Sequence, residues 1–282
     1  MLYVGTCGYS YADWLGTFYP ATTKPREMLR FYSRRFAAVE IDATYYRVAS
    51  PKTFATMAHN TPQTFRFTAK LPGSVTHVAA HGNANLDDAK YFRESIAPLV
   101  DAQKFACALM QFPNSFHPND ETIEHIRRLR EALTDLPLVA EFRNREWQTN
   151  ETLEFLGGME IGWCNVDEPQ FRSLMKPSAD ATAAVAYVRF HGRSAKTWWK
   201  HERADERYDY LYSTEELEPW ARRIADLAAE PNVREIYAFF NNHRRGQAPR
   251  NAEQFEALLR MLGAADIAEA AGDPPGEQLP LV

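Results

Sequence analysis

Strand-like and helix-like segments alternate along the whole chain, and that alternation is the strongest constraint on its fold. Short apolar runs rich in β-branched and aromatic residues lie near Tyr3–Cys7, Ala38–Ala43, Arg66–Lys70, Cys107–Gln111, Leu138–Arg143, Gly162–Asp167, Val185–His191 and Glu235–Phe240. Helical periodicity lies between most of them, near Pro25–Phe36, Pro51–Asn60, Leu86–Leu99, Asp120–Leu133, Asn150–Leu156, Ser213–Ala229 and Ala252–Leu262. Lys24-Pro25 and Ser50-Pro51 place proline at a first helical position, and Ser213-Thr214-Glu215-Glu216 is a capping-box pattern. Strands each followed by a helix predict a single α/β domain, a TIM-type (β/α)8 barrel over residues 1–263. A doubly wound open sheet is the alternative, although one such sheet rarely needs eight units.

The length of 282 residues suits one large barrel. Residues 264–282 contain no Lys or Arg, carry Asp266, Glu269, Asp273 and Glu277, and read as an acidic, weakly ordered tail. The chain has 32 basic and 37 acidic residues, a formal charge of −5. The tail supplies −4 of it, so the barrel is nearly neutral. That balance disfavours broad duplex nucleic-acid binding but leaves room for a small anion. There is no long apolar span and no leader pattern, and the three cysteines (Cys7, Cys107, Cys164) show no metal or redox spacing. A cytoplasmic protein with no membrane partner is expected.

Side chains alternate between the two faces of a strand, and in a barrel one face points inward. Val39 and Ile41 suit the helix layer, which sends Glu40 and Asp42 inside; the same parity sends Arg66, Thr68 and Lys70, then Glu141 and Arg143, then Arg189 and His191 inside. Asn165 and Asp167 share a parity, Gln111 ends the fourth strand, and Asn241 follows the eighth. Barrel interiors are normally filled by Val, Ile and Leu. Charges of both signs there are costly unless paired. They point either to a salt-bridge network that fills the barrel or to a polar site at the carboxyl ends of the strands.

Two loops add to that site. The first, from Gly8 to Pro20, carries Tyr9, Tyr11, Trp14, Phe18 and Tyr19. It is read either as a satellite apolar cluster or as a wall on which a flat ring stacks. The seventh, from Arg189 to Arg207, holds six Lys/Arg against three acids, interleaved with Trp198 and Trp199 and followed by Tyr208. Basic and aromatic side chains together suit an anionic ligand with a ring. The eighth loop, Asn241-Asn242-His243-Arg244-Arg245-Gly246, lies where many barrels bind phosphate. No Gly-x-Ser-x-Gly, His-Glu-x-x-His or P-loop occurs. His77 and His81 are spaced i, i+4 but in surroundings that do not read as a helix. Glu40, Asp42, Glu141 and Asp167 could hold Mg²⁺ or Mn²⁺, which the neighbouring cations oppose, so no cofactor or metal is expected.

Several of these stretches resemble a known family. Gly5-Thr6-Cys7-Gly8-Tyr9, Trp14 to Pro20, Val39 to Tyr46, Gln111-Phe112-Pro113, Glu141-Phe142-Arg143 with Trp147, Tyr187 to Arg193, Tyr208-Asp209-Tyr210 and Asn241-Asn242 together look like the YecE-like family, domain of unknown function number 72. The resemblance spans about residues 3 to 260. It implies a (β/α)8 barrel in a cytoplasmic bacterial or archaeal protein, and no particular reaction. Cys7 stands where that family often has Ser, and Asp42 where it often has Asn.

The residues therefore predict an anion-binding barrel mouth, in a hydrolase or lyase acting on a phosphorylated or nucleotide-like substrate. Lys70, Glu141, His191 and Glu40 are the catalytic candidates. Arg143, Arg189 and Arg193 are expected to clamp the anion. Tyr9, Trp14 and Trp198 are expected to stack on it, with Asp42, Gln111, Asp167, Tyr208 and Asn241 around it. Two other classes remain open: a non-catalytic module for single-stranded nucleic acid or a nucleotide, and a metal-dependent sugar isomerase or epimerase using Glu40, Glu141, Asp167 and His191.

Overall fold

Eight parallel strands form one sheet in a computed structural model that describes residues 1–77, 86–263 and 266–272. They are β1 (Leu2–Thr6), β2 (Ala38–Ile41), β3 (Arg66–Lys70), β4 (Phe105–Phe112), β5 (Leu138–Phe142), β6 (Ile161–Asp167), β7 (Val185–Phe190) and β8 (Glu235–Phe240). Each strand hydrogen-bonds its sequence neighbour from β2 to β8, and β1 pairs with β8. The outer layer is α1 (Pro25–Tyr32), α2 (Pro51–His59), the single turn α3 (Gly73–Thr76), α4 (Leu86–Asp101), α5 (Asp120–Ala132), α6 (Asn150–Gly158), α7 (Thr214–Ala229) and α8 (Gln247–Met261). The chain thus folds as the (β/α)8 barrel that its alternation predicts. The single turn α3 went unread, and α8 begins five residues before its predicted start. Residues 168–184, between β6 and β7, contain no helix.

The barrel closes at a seam of unusual construction. Between β1 and β2 there is one bridge, Cys7 to Glu40, and the Gly8 amide donates to the Glu40 carbonyl at 2.8 Å. Below it, the Tyr32 hydroxyl from α1 enters the seam. It accepts from the Thr6 amide at 2.8 Å and donates to the Ala38 carbonyl at 3.2 Å. One side chain therefore satisfies two backbone groups that a continuous ladder would have paired. Gly5 is required here, since a Cβ at that position would lie 2.2 Å from the Ala38 oxygen.

The stretch beyond residue 263 is not a free tail throughout. Ile267 bridges to Leu2, the Leu2 amide donates to the Asp266 carbonyl and the Ala268 amide to the Leu2 carbonyl, both at 2.8 Å. Glu269 pairs with Arg260 at 2.6 Å. Residues 273–282, like His81, lie outside the described residues.

Candidate active site at the barrel mouth

Strand register decides which side chains enter the barrel. Tyr187 pairs with Cys164 and Arg189 with Val166, so Gly162, Cys164 and Val166 are the inward residues of β6. Asn165 and Asp167 point outward, so Asp167, predicted among the groups around the ligand, does not reach the mouth. Asp167 is fully buried against α7 and the seventh loop. It accepts from Trp220 Nε1 at 2.6 Å, from the Tyr212 hydroxyl at 2.7 Å and from Arg193 at 2.7 and 2.9 Å. Arg193, also bonded to Glu216, is consumed by that structural pair and clamps nothing in the mouth.

Inside the barrel, Arg189 is the hub. It donates to Glu141 Oε2 and to Glu40 Oε1, both at 2.6 Å, and to Cys7 Sγ at 3.4 Å. Glu40 also accepts from the Tyr187 hydroxyl at 2.7 Å. Arg143 Nε lies 2.6 Å from Glu141 Oε1, and its Nη1 donates to Glu168 at 3.0 Å. Burial favours a neutral Glu141, but the Arg189 and Arg143 guanidiniums and His191 outweigh it and hold the carboxyl well below its ordinary range. Burial, then Arg143, push His191 well below the usual imidazole value. Glu168 is lifted by burial to about 7, against the pull of Arg143. Burial raises the Cys7 thiol well above its ordinary value, so it is no ready nucleophile.

This accounting fixes the proton positions. Ionised Glu141 can only accept, so the His191 Nε2, 3.2 Å away, carries the hydrogen. The neutral ring then accepts at Nδ1, 3.1 Å from the Asn241 side-chain nitrogen, so Asn241 donates there.

Above the network lies a cavity of about 880 Å³ at the carboxyl ends of the strands. Its floor is Asp42, Lys70, Arg143, Arg189 and Asn241; its walls are Tyr11, Tyr46, Tyr208 and His243 with Asp13, Arg203, Asp205, Arg244 and Arg245. Six cations face three carboxylates. Lys70 Nζ sits 4.2 Å from the centre of the Tyr45 ring and 3.5 Å from Asp42 Oδ1, and makes no hydrogen bond among the described residues. Arg189 Nε and Asp42 Oδ1 are buried atoms without a hydrogen-bond partner.

Several predicted site residues sit elsewhere. Glu40, Glu141 and His191 are completely buried beneath the floor and do not line the cavity, because their hydrogen-bonding capacity is spent within the barrel. Trp14 is fully buried, its Nε1 donating to the His243 carbonyl at 2.6 Å. It belongs to the apolar cluster with Phe18 and Tyr19. Tyr11 takes the wall position instead, stacked on His243 at 4.6 Å. Tyr9 packs near Tyr32 and borders a different cleft, beside α1 and α2. Trp198 is buried, with the Arg207 and Arg143 guanidiniums at 5.5 and 5.9 Å from its ring. Gln111 faces inward beside Glu141 but bonds the Phe112 carbonyl and does not reach the cavity. Tyr208 and Asn241 do line it, as expected.

Glu168 and Tyr46 were not singled out from the sequence as site residues, and Tyr11, His243 and Arg245 were named only as members of the first and eighth loops. The third functional class also loses its ligand set, since Asp167 faces away from Glu40 and Glu141. Among the described residues, no three His, Cys, Asp or Glu side chains converge where they could hold a metal ion.

Comparison with known proteins agrees with this architecture. The model of the family described as "Protein of unknown function DUF72" matches residues 3–275. The UPF0759 protein YunF of Bacillus subtilis is 30% identical over 92% of this chain and 95% of its own. A DUF72 family protein of Thermotoga maritima, solved by crystallography, is 41% identical with a TM-score of 0.85, covering 92% of this chain and 99% of that one. One from Enterococcus faecalis is 26% identical with a TM-score of 0.79, covering 92% and 96%. SacUVDE, at 11% identity, 93% and 99% coverage and a TM-score of 0.55, shares the fold alone. The chain, matched by the DUF72 model over nearly its whole length and similar to family members in three bacteria, belongs to the DUF72 family.

Proposed function

We propose that the barrel mouth is the active site of a hydrolase or lyase acting on a small phosphorylated or nucleotide-like substrate. The observation that carries this reading is a contrast in hydrogen bonding. The carboxylates beneath the floor are saturated, while the floor's own cations keep open donors: among the described residues Lys70 Nζ has as polar contact only an ion pair with Asp42 at 3.5 Å, and Arg189 Nε is buried without a hydrogen-bond partner. Buried donors without partners are costly, and they persist where a ligand completes them.

In this reading Lys70 and Arg143 receive the anionic group and hold the negative charge that builds on a departing oxygen. Asp42 is the carboxylate of the floor, placed to accept a proton. Tyr208 and the stacked Tyr11–His243 pair form the wall for a ring. Glu141, Glu40 and His191 act indirectly, by fixing Arg189, Arg143 and Asn241.

Calorimetric titration with inorganic phosphate, sugar phosphates and nucleoside monophosphates tests the reading. Lys70→Ala is expected to lose roughly 10- to 100-fold in affinity, the worth of a hydrogen bond to a charged group. Affinity unchanged from wild type for every phosphate would sink it. Binding with no turnover, followed by phosphorus NMR, would move the chain to the non-catalytic nucleotide-binding class.

A further inference from the structure

The floor of the mouth also carries open acceptors, and a fully ionised anion cannot satisfy them. Asp42 occupies the first position before the short helical turn at residues 43–45, where an aspartate usually caps a backbone amide; here its side chain makes no capping bond. Its Oδ1 is a buried atom that accepts no hydrogen bond, with Lys70 Nζ at 3.5 Å and Arg189 Nη2 at 3.9 Å. Asn241 is 6% exposed and lines the same cavity. One hydrogen of its side-chain nitrogen goes to His191 Nδ1, which fixes the orientation of the amide; its carbonyl oxygen and second N–H have no partner among the described residues. The buried Glu141–His191–Asn241 relay therefore sets the amide so that its carbonyl oxygen is an open acceptor in a residue that lines the cavity.

Two acceptors thus stand among three cations, Lys70, Arg143 and Arg189. The oxygens of a fully ionised phosphoryl group, such as a phosphate monoester dianion, satisfy only the cations. They would sit against Asp42 Oδ1 with no hydrogen between like-charged oxygens. A ligand ammonium would fit the acceptors but is repelled by the cations. A neutral hydroxyl meets both demands, since it donates to a carboxylate or amide oxygen and tolerates a neighbouring lysine.

We infer that the ligand is a phosphorylated sugar or polyol, its phosphoryl group held by the cations of the floor and its hydroxyls donating to Asp42 and Asn241. This rests on the phosphate-binding reading above and adds the chemistry of the carbon framework. It also gives His191 a place without contact to the ligand: it sets the direction of the Asn241 amide.

Calorimetry with three probes separates the two ideas: inorganic phosphate, pentyl phosphate and ribose 5-phosphate. Wild type is expected to bind ribose 5-phosphate at least tenfold more tightly than pentyl phosphate, which has the chain and the charge but no hydroxyl. Asp42→Ala should erase most of that preference. It should bind pentyl phosphate at pH 8 equally or more tightly, because a repelling carboxylate is gone and the ionised ester has no hydroxyl to donate. The shape-conserving Asp42→Asn keeps an acceptor and should retain the preference, which distinguishes a lost hydrogen bond from a disturbed mouth. Equal affinity for the two esters in wild type, or an unchanged ratio in Asp42→Ala, overturns the inference and leaves phosphate binding standing. If none of the three probes binds, the phosphate reading fails and takes the inference with it.

Discussion

Glu168 lies one residue past β6, is completely buried, accepts from Arg143 at 3.0 Å and from the Met175 amide at 3.0 Å, and titrates near neutrality. When it is ionised, it neutralises part of the Arg143 charge that faces the mouth. When it is protonated, that charge is released. Affinity for an anion should therefore rise as pH falls through about 7. Sulfate is a suitable probe because its own charge is constant in this range. His191 is held well below its usual value and His77 at about 4, so neither titrates there. Glu168→Gln is expected to bind sulfate at pH 8 as tightly as wild type does at pH 6, without pH dependence; a variant that keeps the wild-type profile would refute the assignment. Sequence reading passes over Glu168 because the polar Asp167 just before it draws the site assignment on β6. Cys164 and Val166 set the true parity, and Glu168 is the next position on their face.

Among the elements, β6 is where alternation misled. Its polar face, Asn165 and Asp167, is the outer one and its apolar face, Cys164 and Val166, the inner one, the reverse of the pattern on the other charged strands. What orients it is α7. Trp220, Tyr212 and Arg193 all donate to Asp167, and Asp167→Ala would leave the buried Trp220 and Tyr212 donors without an acceptor, Arg193 keeping Glu216. A loss of about 3–5 kcal/mol in urea unfolding is expected. A loss under 1 kcal/mol would show that the contact is dispensable. Elsewhere the signal was clean, because an apolar residue flanks each charge on β2, β3, β5 and β7, and one face is then decided.

On α8, burial raises Glu256 to about 7 against Arg260. A carboxyl raised on folding binds its proton more tightly in the native state, so its contribution to stability is greatest below its unfolded value and is lost as pH climbs to about 7. Glu256→Gln should remove that part of the pH dependence and gain on the order of 2 kcal/mol at pH 8. Thermal melts at pH 5 and pH 8 check it.

The whole barrel was legible from its period of strand and helix, since eight such units have few closed solutions. How β1 is held was not legible, because its ladder partner β8 lies more than two hundred positions away and its seam to β2 is completed by a side chain, Tyr32. Leu2 is held by β8 on one side and by residues 266–268 on the other. Ending the chain at Gly263 removes two backbone hydrogen bonds to Leu2 and the Arg260–Glu269 pair, and is expected to cost about 1–3 kcal/mol. An unchanged urea midpoint would count against that role.

The same arrangement orders events during synthesis. The ladder from β2 to β7 can zip up between neighbours as each strand leaves the ribosome. Strand β1, although made first, has only the stitched seam to its sequence neighbour and must wait for β8 to supply its ladder partner. The nascent protein is thus an open, curved sheet with one orphan strand for most of its translation, and such long-range closure is slow and exposed to aggregation. A bulky fusion at the N-terminus would burden that last step far more than it would the finished barrel.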